Sequence, residues 1–112
     1  MEKITVIDKY FEIKEMEENI RFGLDTIGIV YDDIPALETI IHLYASKLVF
    51  GKLIDEYTDA NNKDELQIVL GLYHSFEAQL EGYIEGIKEF SNDDEFNDRV
   101  DDFIETLADL DD

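Results

Sequence analysis

Hydrophobic positions recur at helical spacing through the second half of the chain and set the first expectation. From Asp64 to Phe90, the residues Leu66, Val69, Tyr73, Phe76, Leu80, Tyr83, Ile87 and Phe90 alternate steps of three and four, the pattern of a helix that buries one stripe. Asp64 stands where an N-cap would be. Ser91-Asn92-Asp93-Asp94 then offers capping side chains ahead of a second periodic run, Phe96, Val100, Phe103, Leu107 and Leu110. The spacing predicts a last helix there, paired antiparallel with the one before it.

Upstream, a helix is expected from near Asp33 to about Tyr57, with Pro35 in its first turn, where a missing N–H costs nothing. Leu37, Ile41, Tyr44 and Leu48 mark its buried stripe, and Asp59-Ala60-Asn61-Asn62-Lys63 reads as the following loop. In the N-terminal third, Tyr10, Ile13, Glu17 and Ile20 fit a helix imperfectly. Ile4-Thr5-Val6-Ile7 and Thr26-Ile27-Gly28-Ile29-Val30-Tyr31 are β-favouring, so a short two-stranded pairing is an alternative there. The expected fold class is mainly α: one domain over residues 1–112, a compact bundle of about four helices.

Composition supports a packed body. With 112 residues, 45% hydrophobic content, six Tyr and seven Phe, the chain differs from disordered acidic tails, which lack aromatics. It has no cysteine, which removes disulfides, thiolate metal sites and thiol catalysis together. No apolar run approaches the roughly 18 residues of a membrane span, and Met1-Glu2-Lys3-Ile4 lacks the basic-then-apolar pattern of a secretory signal. A soluble protein of the bacterial cytoplasm, in an infected or host cell, is the expectation.

Charge changes the picture most. The formal net charge is −20. Residues 1–56 carry 12 acids and 6 bases, residues 57–112 carry 17 acids and 3 bases, and Asp93 to Asp112 hold ten acids against Arg99 alone. Such a balance destabilises a compact state by self-repulsion. It also disfavours direct binding to nucleic acid or an anionic membrane. Glu77, Glu81, Glu85 and Glu89 recur every four residues, a spacing at which like charges cost roughly 0.2–0.5 kcal/mol per pair. Asp94, Asp98, Asp101, Asp102, Glu105 and Asp109 cover the face opposite Phe96, Val100, Phe103 and Leu107. Residues 94–109 of a helix span about 22 Å, or about six to seven base pairs. The plain reading of a charge run is a solvated helix face. The one-sign ladder and the asymmetry between halves point beyond it, to a surface that imitates duplex DNA. A homodimer would lengthen that surface further.

Other chemistry is sparse. His42 and His74 fall on different helices; His42 follows Glu38 by four residues, but the Glu-x-x-His spacing of di-iron bundles is missing. Asp93-Asp94-Glu95 lacks the alternating ligands and central Gly of a calcium loop. No glycine-rich phosphate loop or nucleophile elbow is present. The acids sit on polar faces, whereas acid–base catalysis needs a shielded carboxyl. No catalytic residue, metal ligand or cofactor is expected. Gly82 and Gly86, four apart, suit close approach of another helix.

Glu18-Asn19-Ile20-Arg21-Phe22, Tyr31-Asp32-Asp33-Ile34 and the acidic ending Asp109-Leu110-Asp111-Asp112 echo segments of one family. In them, and in its one-sided charge, the chain resembles the phage DNA-mimic anti-restriction proteins of the Ocr type. The two internal strings cover under a tenth of the chain and differ in spacing. The resemblance implies a dimeric acidic helical protein that occupies the DNA groove of a restriction or modification enzyme. Acidic anti-CRISPR proteins are similar in using the same physics.

The expected function is therefore a non-enzymatic inhibitor of a basic DNA- or RNA-binding host defence protein. Its phosphate surrogates would be Glu77, Glu81, Glu85, Glu89, Asp94, Asp98, Asp101, Asp102, Glu105 and Asp109. Two alternatives belong to other classes: an immunity protein that neutralises a basic nuclease toxin by electrostatic steering, and a structural or adaptor bundle whose charge only solvates it.

Overall fold

A computed structural model describes residues 9–111 as four helices: α1 (Tyr10–Thr26), α2 (Pro35–Asp59), α3 (Lys63–Phe90) and α4 (Asp94–Asp111). No strand occurs among the described residues. The candidate strand at residues 4–7 lies outside them. The other, at 27–31, is instead the end of α1 and the connection to α2. Gly28, at φ 80°, takes the left-handed position after the helix. The Gly28 N–H donates to the Asp25 carbonyl at 3.2 Å and the Ile29 N–H to the Leu24 carbonyl at 2.9 Å. This is a Schellman closure, available because glycine has no Cβ to clash.

The α2–α3 turn repeats the device with Asn61 at φ 56°, where the Asn62 N–H reaches the Tyr57 carbonyl at 3.0 Å. Asn62, not Asp64, caps α3: its side chain accepts from the Glu65 N–H. Asp93 caps α4 by accepting from the Glu95 and Phe96 N–H groups at 3.0 and 3.4 Å.

The helices run up, down, up, down. Paired positions set the directions: Arg21 with Glu38 and Glu17 with His42 between α1 and α2, and Lys47 with Glu77 between α2 and α3. The Phe50 and Phe76 rings stack with centroids 5.6 Å apart. α2 is the hub. Besides the expected Leu37 and Ile41, it buries Ile40, Leu43, Ala45, Ser46, Val49, Phe50 and Leu53, residues from most of its circumference.

α4 runs antiparallel to α3 as expected, but its packing partners differ. It lies across α1 and α2, with the Tyr44 hydroxyl donating to the Leu107 carbonyl at 3.4 Å and Leu110 against Gly23. α3 meets it at the shared end, through Lys88 and Asp101 at 2.7 Å. Val100, Phe103 and Leu107 are buried as the periodicity requires. Phe90, the last position of the α3 stripe and the last residue of the helix, is 93% exposed.

α1 buries Ile13, Glu17, Ile20 and Leu24. The glutamate that made this stripe imperfect is compensated: its Oε1 lies 2.5 Å from His42 Nδ1. Tyr10 is half exposed.

Candidate functional site

The α4 acids form one band. Successive helix residues turn by about 100°, so Asp101, Asp94, Glu105, Asp98, Asp109 and Asp102 fall within about 100° of circumference, opposite Val100 and Leu107. All six are exposed. Of these, only Asp101 has a basic partner among the described residues, Lys88 at 2.7 Å.

The α3 ladder behaves differently. A spacing of four overshoots one turn by about 40°, so Glu77, Glu81, Glu85 and Glu89 wind through about 120°. Glu77 stays beside α2, half-buried, 3.9 Å from Lys47 and 3.8 Å from His74. Glu81, Glu85 and Glu89 are exposed and make no ion pair among the described residues. Lys88 sits at the joint between this ladder and the α4 band, and its Nζ bonds Asp101 there. The two sets of acids are thus neighbours at one end of the molecule, with a lysine between them.

Besides Lys88 at Asp101 and Lys47 at Glu77, four further bases pair with acids outside the two bands. Lys9 pairs with Glu12, Lys14 with Glu17 and Arg21 with Glu38. Arg99, the base within the acidic C-terminus, turns away from the band. Its Nη1 and Nη2 donate to the two Asp33 oxygens at 2.8 Å each, and Nη2 also donates to the Val30 carbonyl at 2.9 Å. This fork holds the Asp33 carboxyl below the ordinary aspartate range and raises the arginine further. A hydrogen bond to Glu38 likewise raises Arg21. Desolvation, then the nearby Asp25 charge, pushes Tyr31 up.

Sequence reasoning missed these joints. Their residues are ordinary surface types, and only the tertiary fold brings Asp33 to Arg99 across 66 positions. The strings 18–22 and 31–34 turn out to occupy them: Ile20 is buried, Arg21 bonds Glu38 and Asp33 bonds Arg99. His42 faces Glu17 of α1, while Glu38, its neighbour four residues earlier, is held by Arg21.

Not every acid is solvated. Glu17 is 3% and Glu65 8% exposed, and Glu65 Oε2 has no hydrogen-bond partner. Neither residue lines the α1–α2 cleft of about 260 Å³ beside Met16 and Leu53 or the groove of about 300 Å³ between Ile29 and Phe103. No group of three or more metal-ligating side chains occurs among the described residues. No described helix is long and apolar enough to cross a membrane.

No other element comes close to Gly82 or Gly86 among the described residues: a Cβ at either would meet no atom within 4 Å beyond its own stretch of helix. The expected close helix approach is therefore not made within the fold. No protein-family profile matches the chain, and neither a curated protein nor a solved structure matches it.

Proposed function

We propose that this protein is a non-enzymatic DNA mimic, a phage or mobile-element counter-defence factor that blocks the nucleic-acid-binding site of a restriction–modification or CRISPR effector in the bacterial cytoplasm. The observation that supports this reading is the α4 band: six exposed carboxylates on one side of a helix whose other side is anchored in the core. They cover about 22 Å at about one charge per 4 Å, which by itself falls short of the one per about 1.7 Å of duplex DNA. Glu81, Glu85 and Glu89 add charge at the joint. A band held on a folded core is preorganised, so little ordering entropy is lost when a basic groove closes on it.

The test is a gel-shift titration of labelled duplex bound to purified restriction, modification and CRISPR effector complexes, at several salt concentrations. The protein is expected to displace duplex from its target, to lose to excess duplex, and to bind more weakly as salt rises. A ternary complex with DNA still bound would overturn mimicry.

A further inference from the structure

The outward face of α1 carries the second anomaly of this surface. Of seven large apolar side chains left exposed among the described residues, five (Tyr10, Phe11, Phe22, Ile27 and Val30) precede residue 31. Phe11 is 83% and Phe22 75% exposed. Eleven residues apart, they lie within about 20° of one line and about 16 Å from each other along the axis. That line is opposite the buried Ile13, Ile20 and Leu24. The Tyr10 ring stands edge-on to Phe11 at 5.5 Å, and the exposed Glu15 and Glu18 occupy the same outward face between the two phenylalanines. A solvated helix face has no use for two phenylalanines at its centre; aromatic side chains set so are what interfaces use as anchors.

We infer that this face is a docking surface for a protein helix that presents two apolar sockets with Lys or Arg between them. Charge selects that occupant. In either a parallel or an antiparallel two-fold pair of α1 helices, Glu15 and Glu18 of one copy face the same glutamates of the other, so a second copy brings four carboxylates together among four phenyl rings. A basic helix removes that repulsion and meets each glutamate with an opposite charge. The face lies outside the acid bands of α3 and α4, and the inference stands independently of DNA mimicry.

A synthetic 18-residue helical peptide of Leu and Lys, with its leucines on one side, tests the surface by fluorescence anisotropy; an oligolysine of equal charge is the control. Changing Phe11→Ser with Phe22→Ser should weaken the Leu/Lys peptide at least tenfold and leave oligolysine binding unaltered. Glu15→Gln with Glu18→Gln should also weaken the Leu/Lys peptide. It keeps both rings and so serves as well if the serine variant folds poorly. Neutralising the α4 band should reduce oligolysine binding instead. Equal Leu/Lys peptide affinity in the wild type and both double variants overturns the inference. So does a wild-type dimer in sedimentation equilibrium that the serine variant dissociates, which assigns the face to a second copy.

Discussion

Arg99 grips Asp33 with both ends of its guanidinium, at 2.8 Å to each carboxylate oxygen, and the same side chain takes the Val30 carbonyl. This is where α4 is tied to the α1–α2 connection, and it uses the one base within the acidic C-terminus.

Arg99→Ala should lower the melting temperature more than Asp33→Asn, because it also leaves the Val30 carbonyl unpaired. The side chains are 38% and 50% exposed, so solvent screens the pair, and each loss should stay below about 5 °C. The Asp33 carboxyl titrates below its unfolded value. Its contribution is therefore complete above the ordinary aspartate range and disappears as pH falls through the lowered value. The melting difference between wild type and Asp33→Asn should be constant above about pH 5 and vanish toward pH 2. Thermal scans at low protein concentration, away from precipitation near the pI of about 4.1, measure it.

The buried Glu17 predicts an asymmetry between its own replacement and that of its partner. His42→Ala leaves the carboxylate, 4% exposed, with Lys14 at 3.9 Å and the more distant charge of Arg21, and should cost about 1–3 kcal/mol. Glu17→Met completes the apolar stripe of Ile13, Ile20 and Leu24 and should be neutral or stabilising. Urea denaturation decides between them. Equal losses would show that the pair contributes through its geometry and not through the burial of its charge.

Glu77 should separate from the rest of the ladder. Glu77→Gln removes the partner of Lys47 and should lower stability slightly, by no more than about 1 kcal/mol, without changing DNA competition. Glu81→Gln with Glu85→Gln and Glu89→Gln should weaken competition without a stability loss.

Neutralising the α4 band by Asp98→Asn, Asp101→Asn, Asp102→Asn and Glu105→Gln should weaken target binding at least tenfold while the melting temperature holds or rises. Raising salt from 10 to 200 mM should raise the wild-type melting temperature, because screening relieves a net charge of −20, and should raise that of the neutralised variant less. The N-terminal control is Glu12→Gln, at a position outside the acid bands and off the Phe11–Phe22 line of α1.

Gly82→Ala and Gly86→Ala should each stabilise the fold by about 0.5–1 kcal/mol. Both positions are interior to α3 and open at the Cβ, so alanine lowers the entropy of the unfolded chain at no steric cost. A loss of target binding in either alanine variant would place a partner against this face of α3.

The α3 and α4 stripes were legible because Val69, Phe76, Leu80, Val100, Phe103 and Leu107 repeat at a period that only a helix satisfies, and all six are buried. So was the α4 band, because acids at mixed spacings of three and four share a face wherever the helix is later placed, whereas the strict four-spacing of α3 winds and carries Glu77 against α2. The β-favouring string at 26–31 expresses a local preference of β-branched side chains; here the Gly28 and Ile29 N–H groups close α1 on the Asp25 and Leu24 carbonyls, and the other candidate strand lies outside the described residues.

By itself, then, the sequence determined α3 and α4 with their polar sides, the approximate extent of α2 and the concentration of negative charge in the C-terminal half, since all of these follow from spacing within a few turns. The first helix stayed open to a β alternative. Only the tertiary structure decided that α2 is the hub, that Glu17 leaves the solvent while Glu77 is half-buried against α2, that Arg99 serves Asp33 instead of the acids around it, and that Phe11, Phe22 and Phe90 remain uncovered. Those outcomes depend on which faces meet across tens of residues. Periodicity gives the direction in which each side chain points along its own helix, but not the neighbour that it finds there.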